Sequence, residues 1–583
     1  MPHREHLTTV RLGSALSDVL RDRPYRLADL GRDALAGLTV GVIAVPLAMA
    51  LAVASGAPPQ NGLFTAAVAG LVAALAGGSR FSVSGPTAAF VVILEPVARR
   101  YGMAGLGTAT LFAGVILIGL GSARLGRLIE YIPEPVTVGF TSGIASVIAI
   151  LQVNDFLGLG ITDLPEHTLA KAAHFARAAP NLDPAALAVG GLTLLAVVLW
   201  PRERLVIPGH VPALALGIAA ALLLAKAGHT VDTIGSRFTF ALADGGLGHG
   251  IPRALPSFAL PWNQAGAGGA PLTWSLPVAR ELLSASLSIA VLGAIESLLC
   301  AVVLDRSTGT RHHANGEMLG QGLANVVAPF FGGIPATAAL ARSAANVKAG
   351  ARTPLAAALH ALVVLLGMLA LAPLLSLVPM ASMAALLLTV AWNMSEADKA
   401  VTLARTSPGA DRLVLLSCLV LTVAFDMVVA ITAGVVLAAL LFMRDASRFT
   451  QVRDITASEK HVRGGAPSGW KVYKITGALF FAAADRVLAE VLSDAPDGGG
   501  IVLYADGVTV LDAGGAASFE RFTEECASRD IELIVADLQP QPLRTARAAG
   551  LFTGSEGVRL APTLAEGLLW ARLAAAPTGR RTA

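Results

Sequence analysis

Between Asp33 and Arg80 the chain carries no charged side chain. A helix that crosses the hydrocarbon core of a bilayer needs about 20 mostly apolar residues. This run is long enough for two, and the turn Gly56-Ala-Pro-Pro-Gln60 divides it. Further apolar segments centre near residues 90, 112, 144, 193 and 218, and a second series centres near 294, 322, 343, 362, 386, 418 and 435. The pattern predicts an α-helical polytopic membrane protein of fourteen segments. They fall in two sets of seven, over about 34–227 and 281–443, separated by the Gly/Pro-rich stretch 228–277. Composition agrees: only 14% of residues are charged and the mean hydropathy is +0.66. A soluble protein carries roughly a quarter, so the missing polar surface faces lipid.

The charges are uneven. Of the 83 Asp, Glu, Lys and Arg residues, 33 lie in the last 140 positions, from Arg444 onward. This predicts a polar N-terminal segment (1–33), a membrane domain (34–443), a linker (444–470) and a soluble domain (471–575). Residues 1–33 lack the apolar core of a signal peptide, which places the N-terminus in the cytoplasm. Arg21, Arg32, Arg124, Arg202, Lys348, Arg352 and Arg444 then fall on the cytoplasmic side, as the bias of short loops requires. Arg99 and Arg100 are the exception. An even number of crossings returns the C-terminus to the cytoplasm, and the expected location is a bacterial inner membrane.

Two segments are defective as spanning helices. Phe81-Ser-Val-Ser-Gly-Pro-Thr-Ala-Ala-Phe90 begins strand-like and breaks at Gly85-Pro86, and Gly332-Gly-Ile-Pro-Ala-Thr-Ala-Ala339 does the same before Leu340. Each is the third segment of its set. Interrupted helices at matching positions of two halves point to a transporter site at the bilayer midplane. A helix that begins there offers unpaired N–H groups and a positive dipole end to an anion.

These stretches carry a family resemblance. Gly37-Leu-Thr-Val-Gly-Val-Ile-Ala-Val-Pro-Leu-Ala-Met-Ala50, Gly78-Ser-Arg-Phe-Ser-Val-Ser-Gly-Pro86, Gly320-Gln-Gly-Leu-Ala-Asn325, Phe331-Gly-Gly-Ile-Pro335 and Ala341-Arg-Ser-Ala-Ala-Asn-Val347 resemble the SulP anion transporters. The likeness runs from residue 30 to about 570. Leu292-Gly-Ala-Ile-Glu-Ser-Leu-Leu-Cys-Ala-Val-Val-Leu-Asp305 and Val390-Ala-Trp-Asn-Met-Ser-Glu396 are similar to the DauA type, which carries four-carbon dicarboxylates. The resemblance implies seven-plus-seven inverted repeats with two half-helices. Segments 1–4 and 8–11 would form a core that moves the substrate, elevator-like, against a gate of segments 5–7 and 12–14. It also implies a homodimer.

By the same pattern the anion lies between the helix starts at Thr87-Ala88 and Ala339-Leu340-Ala341, with Leu47 and Leu51 lining the cavity. Many relatives have Gln at the position of Leu47 and a hydroxyl at that of Ala341. The apolar residues here leave room for a carbon skeleton and leave hydrogen bonding to backbone N–H groups and Thr87. Arg342, inside the tenth segment, is a candidate carboxylate anchor, because a guanidinium holds a carboxylate bidentately. Glu296, mid-membrane in the eighth, is the candidate proton carrier, since buried ionisable residues at this depth are usually functional. Asp426 reads as an interfacial cap, His312-His313 as part of a solvated cytoplasmic loop, and Asn325 as a packing residue.

From Lys471 the periodicity changes. Val472–Ile475, Gly500–Tyr504 and Ile531–Val535 read as strands, with helices over Ala483–Leu492 and Ala516–Ser528, an α/β domain. It resembles STAS. The loop that in anti-sigma-factor antagonists holds a phosphorylated Ser is Asp512-Ala-Gly-Gly515 here, so no phospho-switch is expected there. A cytoplasmic protein partner of this domain is an open expectation. Cys300, Cys418 and Cys526 lack metal-ligand spacing, so no metal or cofactor is expected, and a net charge of +3 is too small to suggest nucleic acid. No catalytic constellation marks an enzyme. The reading that results is a proton-coupled dicarboxylate transporter. A sulfate or bicarbonate transporter, or an anion-sensitive regulator signalling through STAS, are the alternatives.

Overall fold

The computed structural model describes residues 10–22, 25–126, 133–161, 163–165, 167–201, 209–241, 246–425, 427–496, 498–552 and 558–576. Arg202 and Asp426 lie outside them. The chain divides into two compact units, Met1–Val435 and Val436–Ala583.

In the first unit every expected segment centre falls in a helix. A short helix, α1 (Ser14–Asp22), precedes α2 (Leu27–Ala54) and α3 (Pro59–Ala76). The third and fourth segments form α4 (Val91–Ser122), two helices meeting at a non-helical Gly102 and preceded by the turn Ala88–Phe90. α5 (Glu134–Leu157), α6 (Thr168–Ala178), α7 (Pro184–Leu199) and α8 (His210–Lys226) complete the first half. The second comprises α9 (Leu276–Thr308), α10 (Ala314–Val327), α11 (Leu340–Lys348), α12 (Leu355–Ser376), α13 (Met380–Met394), the lateral α14 (Ala397–Thr406), α15 (Gly409–Ala424) and α16 (Met427–Phe449). Among the described residues, seven helices are long and apolar enough to cross a membrane unaided, α2 and α9 among them. The others are shorter: α11, which follows one of the defective stretches, has only 9 residues.

Packing is inverted relative to a soluble protein. Along α2 the inward face is Ala36, Gly37, Val40, Gly41 and Ala44, while Leu35, Leu38 and Val42 are exposed to the lipid side. With no hydrophobic drive between helices in lipid, close backbone approach through small residues holds them together. Gly62 shows the limit: a Cβ there would sit 2.0 Å from the Ala48 carbonyl oxygen.

Two helix sets result. α2, α3, α4, α9, α10 and α12 pack on one another, and α5, α7, α8, α13 and α15 form the other set. Stretch 228–277 is anchored: Ala259 donates to Phe330 O at 2.7 Å and Gln264 to Pro329 O at 2.8 Å. Arg100 pairs with Glu281 at 2.9 Å, so this exception to the charge bias is neutralised locally.

His312 and His313 correct the expectation of a solvated loop. His312 is 8% exposed and bonds Asp305 at 2.8 Å, and His313 reaches Asp18 on α1 at 2.7 Å. Two carboxylates drew them into the packing.

The second unit is a five-stranded sheet in the order β3–β4–β5–β6–β7: Gln451–Asp454, Trp470–Leu479, Gly500–Leu511, Glu532–Ala536 and Val558–Ala561. The first pair is antiparallel and the rest are parallel. Helices α17 (Ala484–Ser493), α18 (Ala513–Ser528), α19 (Pro540–Ala548) and α20 (Leu564–Ala575) bury both faces of the sheet. β3 lies in the stretch expected to be linker. Its outward, polar face gives little sequence signal, as befits an edge strand.

Candidate functional site

The two defective stretches meet. β1 (Ser84–Gly85) and β2 (Thr337–Ala338) pair antiparallel, with Ser84 opposite Ala338 and Gly85 opposite Thr337. Each strand runs straight into a helix start, at Thr87-Ala88 and at Ala339-Leu340. Because the strands are antiparallel, the half-helices leave in opposite directions with their N-termini on one shared ladder. Neither Thr87 nor Ala339 caps its helix with a side-chain bond. First-turn N–H groups and two positive dipole ends therefore converge here, the arrangement an anion selects.

Non-helical backbone at membrane depth must be satisfied by neighbours. Asn325 bonds both the N–H and the carbonyl of Ala336 at 2.8 Å. Thr65 accepts from Ile334 N–H at 2.8 Å, and Val83 N–H donates to Ser343 at 2.9 Å. Ser297 and Thr337 share a 2.6 Å hydroxyl contact while Thr337 donates to Gly293 O. Gln321 donates to Ser84 Oγ at 2.7 Å and to Glu317, whose other oxygen accepts from Gly78 and Ser79 N–H. These bonds brace the ladder.

Thr87 and Ala88 are buried at its centre, Ala339 is half-buried, and Leu340 (42% exposed) and Ala341 form the accessible side. Leu47 is half-buried and Leu51 is buried. The Thr87 hydroxyl, expected as a ligand donor, instead donates to Glu296 Oε2 at 3.0 Å. Arg342 is 2% exposed and faces the interior, where Nη2 donates to Pro86 O at 2.8 Å and Nε and Nη1 have no partner. Gly85 makes this possible, since a Cβ there would lie 2.7 Å from Arg342 Nη1. Arg342 and Glu296 thus bond consecutive residues, 86 and 87, and no ion pair joins them among the described residues.

Sequence reasoning missed Glu317 and His360. His360 is fully buried on α12, with neither ring nitrogen partnered, close to Gly70 of α3. Glu317 sits among His313, Asn315, Gln321 and Asn325 and so carried a weaker signal than Glu296, a lone acid in an apolar run. His360 was visible as a polar residue in α12.

The chain is 35% identical to YvdB of Bacillus subtilis, named for sulfate transport, over 91% of this chain and 96% of that one. It is 28% identical to the bicarbonate transporter BicA of Picosynechococcus, over 89% and 91%. Its fold matches the structure of SLC26A9 with a TM-score of 0.79 at 18% identity, covering 96% of this chain and 92% of that one. A model of the STAS domain matches residues 459–567. A model described as the sulfate permease family matches residues 30–418, and the chain belongs to that family of membrane anion transporters, with a STAS domain at its C-terminal end.

Proposed function

We propose that this protein is a proton-coupled carrier of small carboxylates, with four-carbon dicarboxylates such as succinate, fumarate and aspartate first among them. The observation that carries the reading is the shared ladder, where two half-helix starts meet beside an accessible apolar patch at Leu340 and Ala341. The helix starts bind carboxylate, and the patch accommodates carbon in place of a further polar group. Arg342 acts from behind the ladder: its charge lies against Pro86 and adds to the positive potential in front. Glu296, bonded to Thr87 at the helix start, is the proton carrier. The protein works as a homodimer by movement of the ladder-bearing helix set, with both termini cytoplasmic in a bacterial inner membrane.

A second reading, transport of sulfate or bicarbonate, is supported by what YvdB and BicA are named for. Purified protein in proteoliposomes decides between them. Uptake of labelled succinate that is driven by an inward proton gradient and persists in excess sulfate and bicarbonate is the expected result. Uptake of sulfate or bicarbonate with no succinate flux establishes the second reading.

A further inference from the structure

Lys171 and Glu95 form an ion pair of 2.8 Å with side chains only 4% and 17% exposed. Their places in the fold give the pair its meaning. Glu95 sits on the half-helix that begins α4, seven residues beyond Ala88 and therefore about 10 Å farther along the axis. That half-helix continues from Ala88–Phe90, which packs against α9 of the set that carries the ladder, with Phe90 against Gly293. Lys171 sits on α6, which packs against α5 and α15 of the other set. A second contact, Arg99 to Pro165 O at 3.4 Å, joins the same two regions. The two ends of α2 place this region: Glu95 and Ala98 lie beside Gly56, just past the C-terminal end of α2, whereas Asp33, near its start, is bonded to Arg352 and Thr353.

We propose that Glu95 and Lys171 are the outer gate of the carrier, a latch that holds the two helix sets together on the far face and opens when the site turns outward. The proposal rests on the reading of the chain as a carrier whose ladder set moves against the other.

The physical case is the environment dependence of a buried ion pair. In a dry interface the partners attract strongly, and separating them without water leaves two bare charges, which is prohibitive. Once water enters, each charge is hydrated and the attraction falls to that of a surface pair. The pair therefore favours two states, closed and dry or open and wet, over anything between. That is the behaviour a gate needs, whereas a bond within one rigid helix set has no occasion to break. Removing one partner changes the balance: the remaining charge is left unpaired in the closed state and hydrated in the open one. Either single neutralisation shifts the population outward.

The test uses Ala341→Cys as a reporter, because Ala341 is accessible and the three native cysteines are buried. Full-length protein in right-side-out proteoliposomes is treated with a membrane-impermeant methanethiosulfonate, and succinate and sulfate exchange are measured on the same preparation. Glu95→Gln and Lys171→Gln should each raise the outside labelling rate roughly threefold or more. The exchanged pair Glu95→Lys with Lys171→Glu should return it to the starting value, which also answers the objection that one single variant folds poorly. Unchanged labelling in both single variants, or failure of the exchanged pair to restore it, overturns the gate. Absence of anion exchange in the unmutated protein would instead overturn the carrier reading itself.

Discussion

The Thr87 hydroxyl donates to the Glu296 carboxylate across 3.0 Å, joining the half-helix start of one repeat to the long eighth segment at the start of the other. In the proposed carrier this bond would pass a change in Glu296 protonation to the helix start. Thr87→Val, which keeps the shape and removes the donor, should lower gradient-driven uptake at least threefold with exchange retained. Thr87→Ser should behave as the unmutated protein. Equal activity of the Val and unmutated forms would detach the hydroxyl from coupling.

Arg342 is held behind the ladder by Pro86 O and by the space above Gly85. Arg342→Ala should weaken anion binding by on the order of 1–2 kcal/mol, the scale of a charge attraction acting across the ladder without direct contact, and Arg342→Lys should restore part of it. Gly85→Ala offers an independent check, because its methyl group would push the guanidinium from the Pro86 carbonyl. It should raise the Kd for the anion, as Arg342→Ala does. Titration calorimetry on purified variants reads both.

The sequence made the membrane plan legible for a definite reason: lipid tolerates only long apolar helices or breaks that line a site, so charge-free runs and Gly-Pro interruptions have few meanings. Burial and pairing were not legible. Nothing in the sequence order says that Asp33 is fully buried and accepts from the Arg352 and Thr353 amides and the Thr353 hydroxyl, bonds that reach about three hundred residues along the chain. Arg342 was visible as a charge in a segment, but the direction of its side chain depends on space left by Gly85 on another strand. In the second unit the central strands announced themselves by continuous apolar runs such as Ile501–Leu503. The edge strand Gln451–Asp454, held by backbone pairing to β4, did not.

Asp512 shows how the altered STAS loop is used. Its Oδ1 accepts from Gly515 N–H at 2.7 Å and caps α18, and the first hydroxyl on that helix, Ser518, is buried. Asp512→Ala should therefore cost about 1 kcal/mol, the usual value of a helix cap, read as a lower melting point of the second unit in the full-length protein. Mass spectrometry after treatment with a serine kinase should find no phosphate on Ser518, whose hydroxyl is buried and donates to Gly514 O.

Truncation after Ser447 should leave anion binding intact, because the ladder, its hydrogen-bonding supports, the residues packed on it and Leu47 and Leu51 all precede Ser447. Transport rate and dimer stability can fall without contradicting this. Loss of equilibrium binding in a truncated protein that remains monodisperse would show that the second unit contributes to the site.

Glu296→Gln separates coupling from binding. Gln matches a protonated carboxyl in shape and charge, and its amide oxygen still accepts from Thr87, so the helix start keeps its geometry. Substrate binding should survive, and so should exchange of internal for external anion, since a carrier that returns loaded has no proton to release. Net uptake driven by an inward proton gradient requires an empty return, and the variant has no titrating group with which to couple it. Gradient-driven uptake should therefore drop at least tenfold while exchange stays within about twofold, the opposite of what a structural role gives. Were Glu296 only a brace for the Ala88 helix start, the larger change would come from Glu296→Ala, and Gln would be silent in both assays. Measuring both on one preparation separates these outcomes, and equal loss of exchange and uptake in Glu296→Gln would remove the proton-carrier role.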